Sequence, residues 1–162
     1  MYKQFLKVGP SRTGQGVFTS IKIPARSPVI EVTGEVHPEH TLPDPNHPAL
    51  LQVGPNYFIG PSGDVDDYIN HSCDPNCKVH IAGQRAFLYS LYDIPAGSEI
   101  TFDYSTSSTD TLDKWKMDCH CGKFNCRKVI SGLQYVDPTI VEDYKKRGII
   151  PMFMLIPIFQ KL

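Results

Sequence analysis

Three cysteines fall within eight residues, Cys119, Cys121 and Cys126 in CHCGKFNC, and a fourth, Cys73, stands far upstream in NHSCDPN. Zinc held by thiolates takes four ligands in a tetrahedron, so the late cluster is one ligand short. If Cys73 supplies the fourth, the metal fixes a long-range contact between the end and the middle of the chain. His120 is the alternative, but a side chain between two adjacent ligands points away, which favours Cys73. Gly122 helps the chain turn around an ion, and Lys123, Arg127 and Lys128 would offset thiolate charge. The plainer reading is three buried or reactive thiols without metal.

Five cysteines, an odd number, make a poor disulfide framework. Metal in a reducing compartment, cytoplasmic or nuclear, fits better, although delivery by a microbe into a host cell stays open. At 162 residues the chain is long enough for one domain with its own core. A net charge of −1 supplies no basic field, so no direct nucleic-acid partner is expected. Asp64-Val65-Asp66-Asp67 is a local acidic spot compatible with a cationic peptide. The N-terminus lacks the apolar run of a signal peptide. Residues 149–159 are apolar but carry Pro151 and Pro157 and fall short of the roughly 20 residues of a spanning helix. That tail is expected to cover the core or enter an oligomer interface, with peripheral membrane contact as the alternative.

Fourteen prolines and twelve glycines cut the chain into short extended pieces, which predicts a β-rich fold. Strands are predicted at 16–23, 28–32, 56–59, 86–91 and 99–104. Residues 36–48 read as a loop and 105–110 as a polar linker. A helix is predicted over 137–148, with Pro138 near its start and Gly148 at its end.

NHSCDPN, then ITFDY, then C-x-C-x4-C occur in this order. The trio resembles the SET domain of protein-lysine methyltransferases with a post-SET zinc knuckle, over about residues 11–130. The compact layout is similar to that of stand-alone microbial SET proteins. The resemblance implies an α+β, mostly β fold of short curved sheets, with a C-terminal pseudoknot, a zinc knuckle and a late helix. The chain then divides into a SET domain (1–110), the knuckle (111–130) and a C-terminal helix with apolar tail (131–162).

The same resemblance implies S-adenosylmethionine and Zn2+ as cofactors, and a lysine-containing protein or peptide, such as a histone tail, as substrate. Thr13-Gly14-Gln15-Gly16-Val17-Phe18 matches the family's G-x-G-V-F segment, which puts Gly14, Gln15 and Gly16 at the cofactor. Asn70 matches the residue near the donor's amino-acid moiety and His71 the one near its adenine. Tyr104 matches the catalytic tyrosine beside the methyl group. Phe102 matches the position that sets how many methyls are added, and its missing hydroxyl implies di- or trimethylation. Cys73, Cys119, Cys121 and Cys126 match the zinc ligands.

The chemistry needs these groups. Lysine must lose its proton before it can attack, and at pH 7 that costs roughly 4.6 kcal/mol. A dry channel beside a sulfonium lowers the cost, and a tyrosine hydroxyl can orient the amine without acting as a strong base.

The chain also departs from the pattern. The usual Y-x-G-E reads Val32-Thr33-Gly34-Glu35, so Tyr57 or another aromatic must complete the lysine channel. The usual Ala-Arg-Phe reads Asp66-Asp67-Tyr68, taken first as a solvated loop and second as an attractor for basic substrate. Trp115 either lids the site or packs in the core, and Cys77 reads as a small buried residue. These departures keep open a second reading, a degenerate SET module that binds a peptide or protein without catalysis.

Overall fold

The computed structural model describes residues 1–42, 44, 47–109 and 115–155. In chain order the strands are β1 (Leu6–Ser11), β2 (Gly14–Thr19), β3 (Pro28–Val32), β4 (Val36–Pro38), β5 (Leu51–Gly54) and β6 (Tyr57–Ile59). There follow β7 (Asn70–His71), β8 (Cys77–Ala82), β9 (Arg85–Ser90), β10 (Glu99–Phe102), β11 (Lys116–Asp118) and β12 (Val129–Ser131). Helix α1 spans Pro138–Lys146. The strands form four small sheets, ordered β1-β2-β10-β7, β3-β9-β8, β4-β6-β5 and β11-β12.

β1 and β2 form an antiparallel hairpin in register from Leu6 opposite Thr19 to Ser11 opposite Gly14. Gly14 leaves the turn at φ 111°, a conformation that costs glycine little. On β3 the adjacent Val29 and Ile30 are both buried, although successive side chains of a regular strand point to opposite faces. The register against β9 shifts between Pro28 and Ile30, an irregularity that falls at this buried pair. Val17, Val29, Ile30, Leu88, Ile94 and Ile100 belong to one buried cluster shared by the sheets.

Strand β3 has the predicted bounds, and β2, β6, β9 and β10 lie on their predicted segments with ends shifted by a few residues. β10 ends at Phe102, because Tyr104 opens a short 3-10 turn, Tyr104–Ser107. The predicted loop at 36–48 begins with β4.

The predicted polar linker needs correcting over 105–107, where Ser105, Thr106 and Ser107 are buried. Their hydroxyls donate to the carbonyls of Ser131, Asp103 and Tyr104, so each polar group is satisfied inside. Asp110 lies outside the described residues.

The late helix forms as its end signals predict. Asp137 accepts from Thr139 N–H at 2.8 Å, Pro138 occupies the first turn, and Gly148 follows at φ 61°. Tyr144 packs with Ile149, Ile150 and Met154 in a second buried cluster. The apolar tail beyond Leu155 lies outside the described residues. Among the described residues no helix is long and apolar enough to cross a membrane.

Candidate active site

β7 has only two residues and no local reason to form a strand. It exists because Asn70 and His71 pair in parallel with Thr101 and Phe102 of β10, and Ser72 N–H donates to Phe102 O at 3.0 Å. Asn76 fastens the other side of β10. Its Oδ1 accepts from Thr101 N–H at 2.9 Å and its Nδ2 donates to Glu99 O at 2.7 Å. NHSC is thereby laid against ITFDY, as the resemblance implies.

This strand pair separates two cavities. On one side Asn70, His71, Ser72 and Thr101 line a polar cleft of about 390 Å³, with Arg12 and Thr13 at one wall and Cys121 and Lys123 at another. On the other side Ile69, Phe102 and Tyr104 line a narrow cavity of about 80 Å³, with Phe58, Trp115 and Val32. A bulky donor suits the first space, and a slender aliphatic chain suits the second.

In the polar cleft Asn70 Nδ2 donates to Gln15 O and to Glu99 Oε1, both at 2.7 Å. Ser11 Oγ donates to the same Glu99 oxygen at 2.8 Å. Gly16 lies against this cluster: a Cβ there would overlap Glu99 Oε1 and approach Asn70 Nδ2 to 2.8 Å. Gln15, Gly16 and Asn70 are therefore brought together, Gly14 stands in the turn just before them with open space beside it, and Glu99 is a member that sequence reasoning missed. Its only signal is its place at the head of β10.

The narrow cavity is walled by aromatic rings. Phe102 and Tyr104 have centroids 5.0 Å apart, and Trp115 lies 6.5 Å from Tyr104. Tyr57, expected as a channel residue, is instead exposed on β6, and its neighbour Phe58 lines the cavity. Alternation along a strand accounts for the exchange, since Tyr57 and Phe58 project from opposite faces.

Asp66 and Asp67 also line this cavity. The solvated-loop expectation fails at Asp66, which is buried and accepts from Thr33 N–H at 2.7 Å and Ser62 Oγ at 2.9 Å. Its carboxylate clamps the segment after β3 to the turn that leads into β7.

Tyr104 is half-buried, and its hydroxyl donates to Ile69 O at 2.8 Å. Burial raises its pKa above the ordinary phenol value, so it stays protonated at neutral pH. His71 Nδ1 accepts from Tyr104 N–H at 3.1 Å, which leaves Nε2–H directed at the Cys73 sulfur, 3.2 Å away. Desolvation holds His71 neutral, with its pKa lowered to about 4.

The four sulfurs of Cys73, Cys119, Cys121 and Cys126 all lie within 4.8 Å of one another. Zn–S bonds of about 2.3 Å imply tetrahedral S···S edges of about 3.8 Å; the Cys73–Cys119 separation is 3.7 Å. Arg127 adds a second sign of fit. Its backbone N–H approaches Cys73 Sγ at 3.4 Å, while its buried Nε and Nη1 have no hydrogen-bond partner among the described residues. A cation beside four thiols suits a centre whose ligands become thiolates on binding zinc. Cys77 is buried apart, opposite Ser90, and contributes nothing to the cluster.

The SET-domain family profile matches residues 14–105. The chain belongs to the SET-domain family. Among its curated relatives, the histone-lysine N-methyltransferase NSD3 of Mus musculus is 44% identical over 71 residues, covering 41% of this chain and 5% of that protein. The H3 lysine-36 specific histone-lysine N-methyltransferase of Cryptococcus neoformans is 29% identical over 150 residues, covering 82% of this chain and 17% of that protein. A crystal structure of KRYPTONITE with mCHH DNA, H3(1-15) peptide and SAH superposes with a TM-score of 0.62 at 29% identity. That match covers 76% of this chain and 29% of the other. The chain thus spans a small fraction of these relatives' lengths.

Proposed function

We propose that this SET domain is an S-adenosylmethionine-dependent protein-lysine N-methyltransferase with a zinc knuckle, and that its substrate is a histone tail. One observation carries the reading: a two-strand partition with a polar cleft lined by Asn70 and His71 and an aromatic cavity lined by Phe102 and Tyr104, the Tyr104 N–H bonded to His71. The relatives named as histone-lysine methyltransferases and the SAH-bound neighbour support it.

Bound S-adenosylmethionine supplies an electrophilic methyl group. Asn70 and the backbone of Gly14, Gln15 and Gly16 would hold it, with His71 lining the same cleft. Phe102, Phe58 and Trp115 enclose the lysine stem and exclude water, which lowers the cost of presenting a neutral amine. The carbonyl of Ile69 and the hydroxyl of Tyr104 orient that amine for in-line attack. Phe102 leaves space for methyl groups where a hydroxyl would hold water, so di- and trimethyl products are expected. Cys73, Cys119, Cys121 and Cys126 hold zinc, which joins the knuckle to the partition. Such a protein works where lysine-bearing partners reside, in the cytoplasm or nucleus.

One observation favours the alternative of a binding module without turnover: Val32 stands where the family has a channel tyrosine, and Tyr57 does not fill the gap. Incubation with labelled S-adenosylmethionine and core histones, beside Tyr104→Phe, separates the two. Label on histone that vanishes in the variant supports catalysis; binding of the peptide with no label transferred supports the module.

A further inference from the structure

Asp103 stands between Phe102 and Tyr104 and is fully buried. Its Oδ1 accepts from Arg127 Nη2 at 2.7 Å and from Ser105 N–H at 3.0 Å. Its Oδ2 accepts from the hydroxyl of Tyr144 at 2.8 Å. Three parts of the chain therefore converge on one carboxylate: the turn at Tyr104, the cysteine segment and helix α1. Tyr144 lies on α1, beyond residues 14–105 that define the family match.

The Ser105 bond caps the 3-10 turn that Tyr104 begins. The Asp103 carboxylate thus holds the turn on which the Tyr104 ring is mounted. Packing alone does not call for a hydroxyl at 144, since phenylalanine would fill the space among Ile149, Ile150 and Met154 equally well. The oxygen is aimed at a buried charge. Without it, Oδ2 loses its donor in a dry site, and the carboxylate must rotate toward Arg127 at the expense of Ser105 N–H.

We propose that Tyr144 is a positioning residue for methyl transfer: its hydroxyl fixes Asp103, Asp103 fixes Tyr104, and α1 is thereby part of the catalytic apparatus. The inference rests on the reading of Tyr104 as the hydroxyl at the reacting centre. It makes a helix outside the family's matched segment a working component of the site.

The test compares the full chain with Tyr144→Phe, Tyr104→Phe and Val141→Ala. The last loosens the packing of α1 and keeps the hydroxyl. In Tyr144→Phe, kcat falls on the order of tenfold, the scale of a small misplacement at the reacting centre, while KM for S-adenosylmethionine and peptide changes by less than about twofold. Val141→Ala lowers Tm without that fall in kcat. A second readout needs no turnover. Trp115, the only tryptophan, lies 6.5 Å from Tyr104, so its emission shifts in Tyr144→Phe as the tyrosine ring loosens. An unchanged kcat in Tyr144→Phe beside an inactive Tyr104→Phe overturns the positioning role alone. An unchanged Trp115 emission in Tyr144→Phe overturns it as well. Full activity in Tyr104→Phe overturns the reading of Tyr104 itself, and the role of Tyr144 falls with it.

Discussion

The sulfurs of Cys73 and Cys119 lie 3.7 Å apart although 46 residues separate them in the chain. Cys73 follows His71 by two residues, and His71 Nε2 lies 3.2 Å from the Cys73 sulfur. A metal at the four thiols would therefore hold the segment that lines the polar cleft as well as the knuckle. The main core, built on Val17, Ile30, Leu88 and Ile100, is a buried cluster separate from that of Cys73 and Cys119, with Tyr104 packed against both.

Removal of zinc should accordingly abolish S-adenosylmethionine binding while most of the fold persists. The check is calorimetric titration and far-UV dichroism of the same sample before and after treatment with a strong chelator. Retained donor affinity in metal-free protein, verified by elemental analysis, would disprove the coupling. Cys73→Ser should reproduce the chelated state, because it removes the only ligand contributed from the middle of the chain.

Cys77 should behave differently from the other four thiols. It is buried on β8 opposite Ser90 of β9, and desolvation pushes its pKa up to about 12. The folded state then holds this proton more tightly than the unfolded chain does. That contribution to stability is complete below the unfolded value of about 8.5 and is lost as pH rises toward about 12. Mass spectrometry after alkylation at pH 8 should find Cys77 unmodified in folded protein, even after chelation exposes the other thiols. Rapid labelling of Cys77 under native conditions would show that β8 and β9 open readily.

Much of the fold was legible because alternation and turn residues report local structure. β3 and the end signals of α1 are examples, and the ordered motifs singled out Asn70, His71, Tyr104 and the cysteines, which the fold brings close together. β7 was hidden, since two residues carry no periodicity and its pairing partner lies 31 positions away, Thr101 against Asn70. The buried turn at Ser105 to Ser107 read as a linker because hydroxyl residues look solvent-facing until their carbonyl partners are known. Glu99, Asn76, Asp103 and Tyr144 escaped notice for a related reason. Each is a single polar group whose role comes from a partner brought near by folding. Tyr57 was misplaced by one residue, and one residue reverses the face of a strand.

Gly16→Ala should remove cofactor binding with little effect on the rest of the fold. The added methyl collides with Glu99 Oε1 and crowds Asn70 Nδ2, and both are far ends of side chains. They would be displaced from the hydrogen bonds that shape the polar cleft. Asn70→Ala should weaken S-adenosylmethionine by about 2 kcal/mol, roughly thirtyfold, since it removes the donor to Gln15 O and leaves Glu99 short of a partner. Isothermal titration measures both. Wild-type affinity in either variant would remove the G-x-G segment from the cofactor site.

Phe102→Tyr tests what limits the number of methyl groups. Phe102 is buried, faces the narrow cavity and lies 5.0 Å from the Tyr104 ring, so an added hydroxyl enters a space of about 80 Å³. There it must find a hydrogen-bond partner or bear a desolvation cost of about 1–3 kcal/mol. The partner at hand is a water or the lysine amine itself, and either occupies volume that a second methyl requires. The wild-type domain should carry peptide to the di- or trimethyl state at long times, and the variant should stop earlier, with its first turnover largely preserved. Mass spectrometry of the methylated peptide over a time course distinguishes the outcomes. A wild-type reaction that ends at monomethyl-lysine would show that something other than Phe102 closes the cavity, with Trp115 and Asp66 the next walls to change.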